Sequence, residues 1–329
     1  MGTPSAVAGI MRHRDDASSN HQERALNAPF ARPFSALVLA LAIVTSSAAA
    51  HAQSREDGAP AETLGAGDNA YASVWGPASL FFNPAGMSRA RAVIVEGGYS
   101  YLDGRSGHGF TAAATDSLTN QYLAMGIAYT FLTGAPQGVD RDGHQVRGAL
   151  STGYVTRDFG LFAGVGVRYL GLTVGQDDDE SDETNDTDAW TVDLGLMFDI
   201  ASRIRIGVTG ANLIDTKSGE APRRLGVGMG IFFDPLEITS SVDVDLSGTD
   251  GAETIPRFGF GAEYTFAKAF HARVGYIEDQ LFDQQRVTAG FGYVTSQVAV
   301  DLGYSTAVSG DTDMLFSVSL RYMPPVMAR

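Results

Sequence analysis

The sequence predicts an all-β chain: a transmembrane antiparallel β-barrel of about fourteen strands with a short N-terminal plug segment. Three observations carry that prediction. Apolar residues recur at every second position over long stretches, the period of a strand and not of a helix. The stretches run to ten residues or more, matching the ~9–11 that a tilted membrane strand needs, whereas strands of soluble proteins average ~5–6. The links between them alternate between tight turns and longer polar loops, the asymmetry of outer-membrane barrels.

The first element is an export signal, residues 1–52. Arg12, Arg14, Arg24 and Arg32 precede an apolar run from Phe34 to Val44, and small residues then end at Ala50-His51-Ala52 before Gln53. This is a basic region, an apolar region and an A-x-A cleavage site in order. The run is shorter than the ~20 apolar residues of a spanning helix, which argues against an anchor. No later stretch reaches ~18 consecutive apolar residues, so a membrane assignment rests on strands.

The second element is the segment 53–90. Residues 53–68 are small, charged and unpatterned, and are expected to be a flexible start. In 69–90, alanine, serine and tyrosine suggest one short helix that breaks at Gly76-Pro77. Asn83-Pro84 marks a turn, and Gly86 is expected to supply a positive φ. Tyr71, Val74, Trp75, Leu80, Phe81 and Phe82 need burial, yet the piece is too short for a domain. The barrel lumen or its mouth is the place for them.

The barrel itself occupies 91–323. Leu123, Met125, Ile127, Tyr129 and Phe131 alternate with small residues, as do Trp190, Val192, Leu194, Leu196 and Phe198. Leu225, Val227, Met229 and Ile231 alternate with Gly226, Gly228 and Gly230; Phe258, Phe260, Ala262, Tyr264 and Phe266 alternate with Gly259, Gly261 and Glu263. The same reading gives strands at 91–102, 107–116, 120–132, 144–156, 159–173, 187–199, 202–213, 222–234, 235–247, 255–267, 269–278, 284–295, 296–306 and 312–323. Tight turns follow the even strands. Longer polar loops follow the odd ones, among them 133–143, 175–187, 215–221 and 247–253. An even strand number puts both ends of the barrel on the short-turn side, with a periplasmic tail at 324–329.

The two faces differ in chemistry. Tyr99, Tyr101, Tyr129, Tyr154, Tyr169, Trp190, Tyr264, Tyr276, Tyr293, Tyr304 and Tyr322 fall on the apolar face, many near strand ends where aromatic girdles form. Glu96, Arg168, Asp193, Arg205, Glu237, Asp243, Asp245, Glu263, Arg273, Arg286, Asp301 and Arg321 fall on the other, with most of the glycines. A small soluble barrel fills its inside with apolar side chains; here charge and glycine face inward. The inverse arrangement, a soluble sandwich, would need two sheets and a more varied loop pattern.

Composition narrows function. The chain has 329 residues, 39 glycines, no cysteine and a net charge of −15. Glycine usually makes up about 7% of a chain, so it is in clear excess here. Zero cysteine excludes a disulfide framework, a thiolate metal site and a cysteine nucleophile. The acidic balance argues against nucleic acid, which needs a basic footprint. His108, His144 and His271 are the histidines after the signal; no Gly-x-Ser-x-Gly occurs, and no enzyme or cofactor is read. His271 beside Arg273 reads as a lumen residue without a catalytic task. The acidic stretch from Asp177 to Glu183, with Asp186 and Asp188, offers oxygen ligands of the kind Ca²⁺ takes, but without EF-hand spacing a solvated outer loop is the better reading. The lumen charges either form a selective path or lock the N-terminal segment by ion pairs.

Ala78-Ser79-Leu80-Phe81-Phe82-Asn83-Pro84-Ala85-Gly86-Met87 resembles the N-terminal signature of the FadL/PorV-like outer-membrane barrels, whose hatch carries Asn-Pro-Ala-Gly. Gly65 to Ser73 resembles its glycine- and alanine-rich lead-in. Asn212-Leu213, followed by Pro222-Arg223-Arg224-Leu225, resembles a second feature of the group. The resemblance implies a fourteen-stranded outer-membrane barrel plugged by an N-terminal hatch. Asn83, Pro84, Ala85 and Gly86 would form the hatch element, and Trp75, Phe81 and Phe82 would line a path through it. FadL-like members imply passage of hydrophobic or amphipathic small molecules; PorV-like members imply a scaffold for envelope or secretion proteins. Both readings stay open, and both place the chain in the lipid bilayer of the outer membrane.

Overall fold

The computed structural model describes residues 58–103, 107–134, 139–176, 185–216, 218, 220–246, 256–280, 283–310 and 313–325. The expected export signal, the start of the plug segment at 53–57, the acidic residues 177–184 and the tail residues 326–329 lie outside the described residues.

Fourteen strands form one closed barrel in which each pairs with its neighbours in sequence and the last meets the first. They are β1 (Val93–Leu102), β2 (Gly107–Asp116), β3 (Ala124–Thr133), β4 (Val139–Val155), β5 (Phe159–Gln176), β6 (Asn185–Ile200) and β7 (Ile204–Ala211). There follow β8 (Arg224–Phe233), β9 (Leu236–Asp245), β10 (Pro256–Phe266), β11 (Phe270–Asp279), β12 (Gln284–Val294), β13 (Val298–Ser309) and β14 (Met314–Tyr322). Every pairing is antiparallel, and β1 closes on β14 with Glu96 opposite Arg321 and Tyr99 opposite Val318. Closure satisfies every ladder and leaves no edge, the condition for a sheet in lipid. No described helix is long and apolar enough to cross a membrane.

Two departures from the expected layout have physical causes. β4, β5 and β6 run to 17, 18 and 16 residues, well past the expected ends. Their extra residues pair with one another, as Asp140 with Gly175 and Val174 with Asn185. Those residues, Val-Asp-Arg-Asp-Gly at 139–143, Val-Gly-Gln at 174–176 and Asn-Asp at 185–186, are mostly polar or glycine, so the greasy alternation that marks a wall strand gives no sign of them. The link 212–223 leans along the extension: the Leu213 N–H donates to the Val192 carbonyl over 2.8 Å, and Ala221 covers Leu132, Leu170 and Leu172. Conversely, the β2–β3 link 117–123 is longer than a tight turn. Asp116 caps the N–H groups of Leu118 and Thr119, and Asn120 those of Tyr122 and Leu123.

The apolar face of the strands is on the outside of the barrel. Ile127, Leu194, Leu225, Phe260 and Val274 are exposed on the barrel exterior at mid-strand. Aromatic rings gather at two heights. At the long-loop end Tyr129, His144, Tyr169 and Trp190 pack in succession across β3 to β6, and Tyr99, Tyr101 and His108 do so on β1 and β2. At the short-turn end Phe266, Phe270, Phe291 and Tyr293 form a second group, with Phe159 against Phe198. Along β5, Phe159 and Tyr169 lie ten residues apart. At ~3.3 Å per residue and a tilt of ~40°, this spans about 25 Å of membrane normal, the height of an outer-membrane apolar band.

Candidate functional site

Residues 58–90 lie inside the barrel. The wall glycines demonstrate it. A Cβ built on Gly303 (β13), Gly261 (β10), Gly207 (β7) or Gly195 (β6) would run into Ala61, Ala66, Tyr71 or Asn83 respectively. Gly290 on β12 and Gly275 on β11 meet Gly65 and Gly67 in the same way. One segment touches strands from β5 round to β13 only if the wall encloses it. The glycines that gave the lumen face its low side-chain volume are therefore the seats of a chain passing across them.

The segment's local structure differs from expectation. Residues 61–65, placed in a flexible start, form a one-turn helix, Ala61–Gly65. Residues 69–75, expected to be helical, form turns, and helical geometry instead begins at the expected break, with a 3₁₀ turn at Gly76–Ala78 leading into Ser79–Phe82. Pieces this short cannot hold themselves as helices in water, so the wall dictates their course, and local propensity could not foresee it. Gly76 has φ +56°, whereas Gly86, the expected carrier of positive φ, does not. Gly86 is needed for space: a Cβ there would sit 2.6 Å from Ser79 Oγ and 2.7 Å from the Val74 carbonyl oxygen.

Asn83 is the hub. It is fully buried and its Nδ2 donates to the carbonyls of Tyr71 (2.9 Å), in the segment, and Leu196 (3.1 Å), in β6. Its Oδ1 accepts from the Ala85 N–H at 3.1 Å, capping the 3₁₀ turn Pro84–Arg89, which Pro84 opens. The Ala85 carbonyl accepts from Ser151 Oγ of β4 at 3.1 Å, and Ser151 Oγ lies 2.8 Å from Ser88 Oγ. One asparagine thus ties two parts of the segment to the wall. Phe81 and Phe82 are buried in an apolar cluster with Leu80, Met87 and the wall residues Ala128, Phe162 and Met197. Trp75 lies apart from them, half-buried, with the Arg321 guanidinium 5.2 Å from its ring centre.

The structure sorts eleven of the twelve charges expected on the lumen face into pairs and clusters; the twelfth, Asp245, stands at the end of β9. Arg321 pairs with Asp301 at 2.7 Å; Arg273 joins Asp301 at 2.7 Å to Glu263 at 2.6 Å; His271 completes the chain at 2.8 Å from Glu263. Glu96 sits beside Arg321 in register, buried, without a hydrogen-bond partner for its carboxylate among the described residues. Arg205 pairs with Asp199 at 3.1 Å and lies over the Phe232 ring at 3.9 Å, while Glu237 stands nearby on β9. Arg168 donates to Gln145 (2.7 Å) and Asn212 (3.3 Å), and Asp193 accepts the Asn212 N–H at 2.7 Å. Arg286 pairs with Asp313, and Asp243 lies 3.6 Å from Arg257.

Sequence reasoning missed the segment's own charges. Glu62 reaches Arg321 at 2.5 Å, and Asp68 reaches Arg257 at 2.9 Å. Both sit in the stretch read as a flexible start, where nothing in the local pattern shows that a carboxylate will be buried. Arg257, the second residue of β10, shares the lumen face with Gly259, Gly261 and Glu263 and was not among the expected lumen charges. Burial, then its attraction to Arg321, govern Glu62, and the net effect raises its pKa.

At the short-turn end a cavity of about 280 Å³ opens between the segment and the wall. Trp75, Arg89 and Glu62 come from the segment; Arg205, Phe232, Glu237, Glu263, His271 and Arg273 come from β7 to β11. The site therefore joins an immobilised chain, an ion-paired ring and an amphipathic recess.

No family model matches the sequence, and none of the curated proteins matches it. Solved structures do resemble the fold. The crystal structure of the Ralstonia pickettii toluene transporter TbuX superposes with a TM-score of 0.58 at 15% identity, covering 82% of this chain and 98% of that one. The Pseudomonas putida toluene transporter TodX gives 0.57 at 13% identity, covering 81% and 98%. A Pseudomonas aeruginosa FadL homologue gives 0.54 at 14%, covering 80% and 98%. At such identities the likeness is one of fold: the chain has the barrel fold of these proteins.

Proposed function

We propose that this chain is an outer-membrane transport barrel in which residues 58–90 plug the lumen and gate the passage of a hydrophobic or amphipathic small molecule. The observation that carries the reading is the seating of the segment across the wall glycines, with Asn83, Pro84, Ala85 and Gly86 as its anchor. The segment fills the space through which a solute must pass, and it is bound by hydrogen bonds and ion pairs, not covalently. Trp75, Phe81 and Phe82 supply the apolar surface of the path once the segment shifts. The kinship of fold with toluene transporters supports an apolar solute, and the two aromatic girdles support the outer membrane as its location.

The test is uptake of a labelled apolar solute by intact Gram-negative cells lacking other hydrophobic-solute channels. Cells carrying the inserted barrel are expected to take it up faster than cells without it, with no gain for a sugar of equal size. Equal uptake with and without the barrel sinks the transport reading. If envelope proteins then co-purify with a barrel that holds no solute, the scaffold reading takes its place.

A further inference from the structure

The short-turn cavity holds two charges that the ion-pair network leaves out. Arg205, Arg273 and Arg321 are each matched by a carboxylate at 3.1 Å or closer. Arg89 is not. Its Nη1 donates to the carbonyls of Ser73 and Val74, both at 2.7 Å, and no carboxylate among the described residues lies within ion-pair distance of it. Burial, then the like charge of Arg205, lower its pKa, and the carboxylates of Glu237 and Asp199 offset this only from beyond ion-pair distance. Glu237 is its converse. It lines the same recess and makes neither a hydrogen bond nor an ion pair within the described residues, and Arg205, Arg89 and Arg273 act on it only from farther off.

A guanidinium and a carboxylate that face one recess without meeting leave a gap for something carrying both opposite charges. Both residues are half-buried, and a partly desolvated charge gains from a partner of opposite sign. A simple anion would satisfy Arg89 and leave Glu237 unmatched; a simple amine would do the reverse. Phe232 and Trp75 add aromatic surface to the same wall. The volume, about 280 Å³, equals that of roughly nine waters at ~30 Å³ each, enough for an amino acid.

We propose that this cavity binds a small zwitterion with an apolar body, such as an α-amino acid. Its carboxylate lies on Arg89, its ammonium on Glu237 and its side chain against Phe232 and Trp75. The site faces the short-turn side, so it samples solutes there. It does not rest on the transport reading, since binding in detergent and uptake by cells are read separately.

Trp75 reports on the cavity directly. The chain has two tryptophans, and Trp190 is exposed on the barrel exterior, so Trp190→Phe leaves Trp75 as the sole emitter. The detergent-solubilised barrel is titrated with L-phenylalanine, N-acetyl-L-phenylalanine (no ammonium) and phenethylamine (no carboxylate). The expected result is a saturable change in Trp75 emission with L-phenylalanine, with both analogues at least tenfold weaker. Glu237→Gln should weaken L-phenylalanine about tenfold and leave the N-acetyl compound unaffected. Equal binding of all three ligands, or no saturable response to any at millimolar concentration, overturns the proposal. So does an unchanged preference in folded Glu237→Gln. If that variant does not fold, the ligand series on the Trp190→Phe barrel still decides.

Discussion

The barrel wall and the segment inside it obey different rules. A wall strand is defined by its neighbours: β10 pairs with β9 and β11 along nearly its whole length, and lipid on one face with lumen on the other imposes the period of two. The segment 58–90 has no such frame. Its helical pieces span three to six residues, below any length that is stable alone. It is held by the wall: by glycine seats, the Asn83 hydrogen bonds, the pairs made by Glu62 and Asp68, and the apolar packing of Leu80, Phe81, Phe82 and Met87. The wall's order is therefore local and redundant, whereas the segment's is borrowed.

This contrast can be broken at single residues. The largest effect is expected for Gly207→Val. Its Cβ would meet the Tyr71 backbone, which cannot yield as a flexible side chain could, so undocking by more than ~3 kcal/mol is expected. Limited proteolysis should then cut within 58–90 while the barrel stays intact. Val227→Leu, on the lipid face of the adjacent strand, should change nothing beyond ~0.5 kcal/mol. Phe260→Arg acts on the other region: a cation on the exterior at mid-wall should cost the barrel about 2–4 kcal/mol, read as a lower urea midpoint in bilayers. Segment protection below that midpoint should be unchanged.

Asn83→Ala sharpens the comparison. It strands buried carbonyls of Tyr71 and Leu196 and removes the Ala85 cap, a loss of about 2–3 kcal/mol. Hydrogen exchange should accelerate at the segment amides and not at β6. Glu62→Gln is expected to be milder, about 1–2 kcal/mol, because Arg321 keeps Asp301 and glutamine still offers an oxygen. Exchange at 61–65 should rise with little change elsewhere.

The same contrast explains what could be read from the residues. Fourteen strands and their facing were legible because lipid demands a greasy side chain at every second position, as in Met125, Ile127 and Tyr129. The extension of β4 to β6 was not, because its residues, Asp140 and Asp142 among them, are mostly polar or glycine. The importance of Asn83 was legible from the resemblance of its neighbourhood to a known hatch, but its acceptors were not, since Leu196 lies 113 residues away. The glycines showed that the lumen face is small without showing that a chain crosses it. Glu62, Asp68 and Arg89 were silent, because their burial is a property of the wall around them.

The central claim is that the segment closes the lumen and must shift for a solute to pass. The chain has no cysteine, so a single engineered disulfide tests it cleanly. Ser88 and Ser151 bring their hydroxyls within 2.8 Å, joining the segment to β4. In the double variant Ser88→Cys, Ser151→Cys, uptake of the apolar solute should stop under oxidising conditions and return on reduction. Undiminished uptake through a barrel shown to be fully cross-linked would contradict the account.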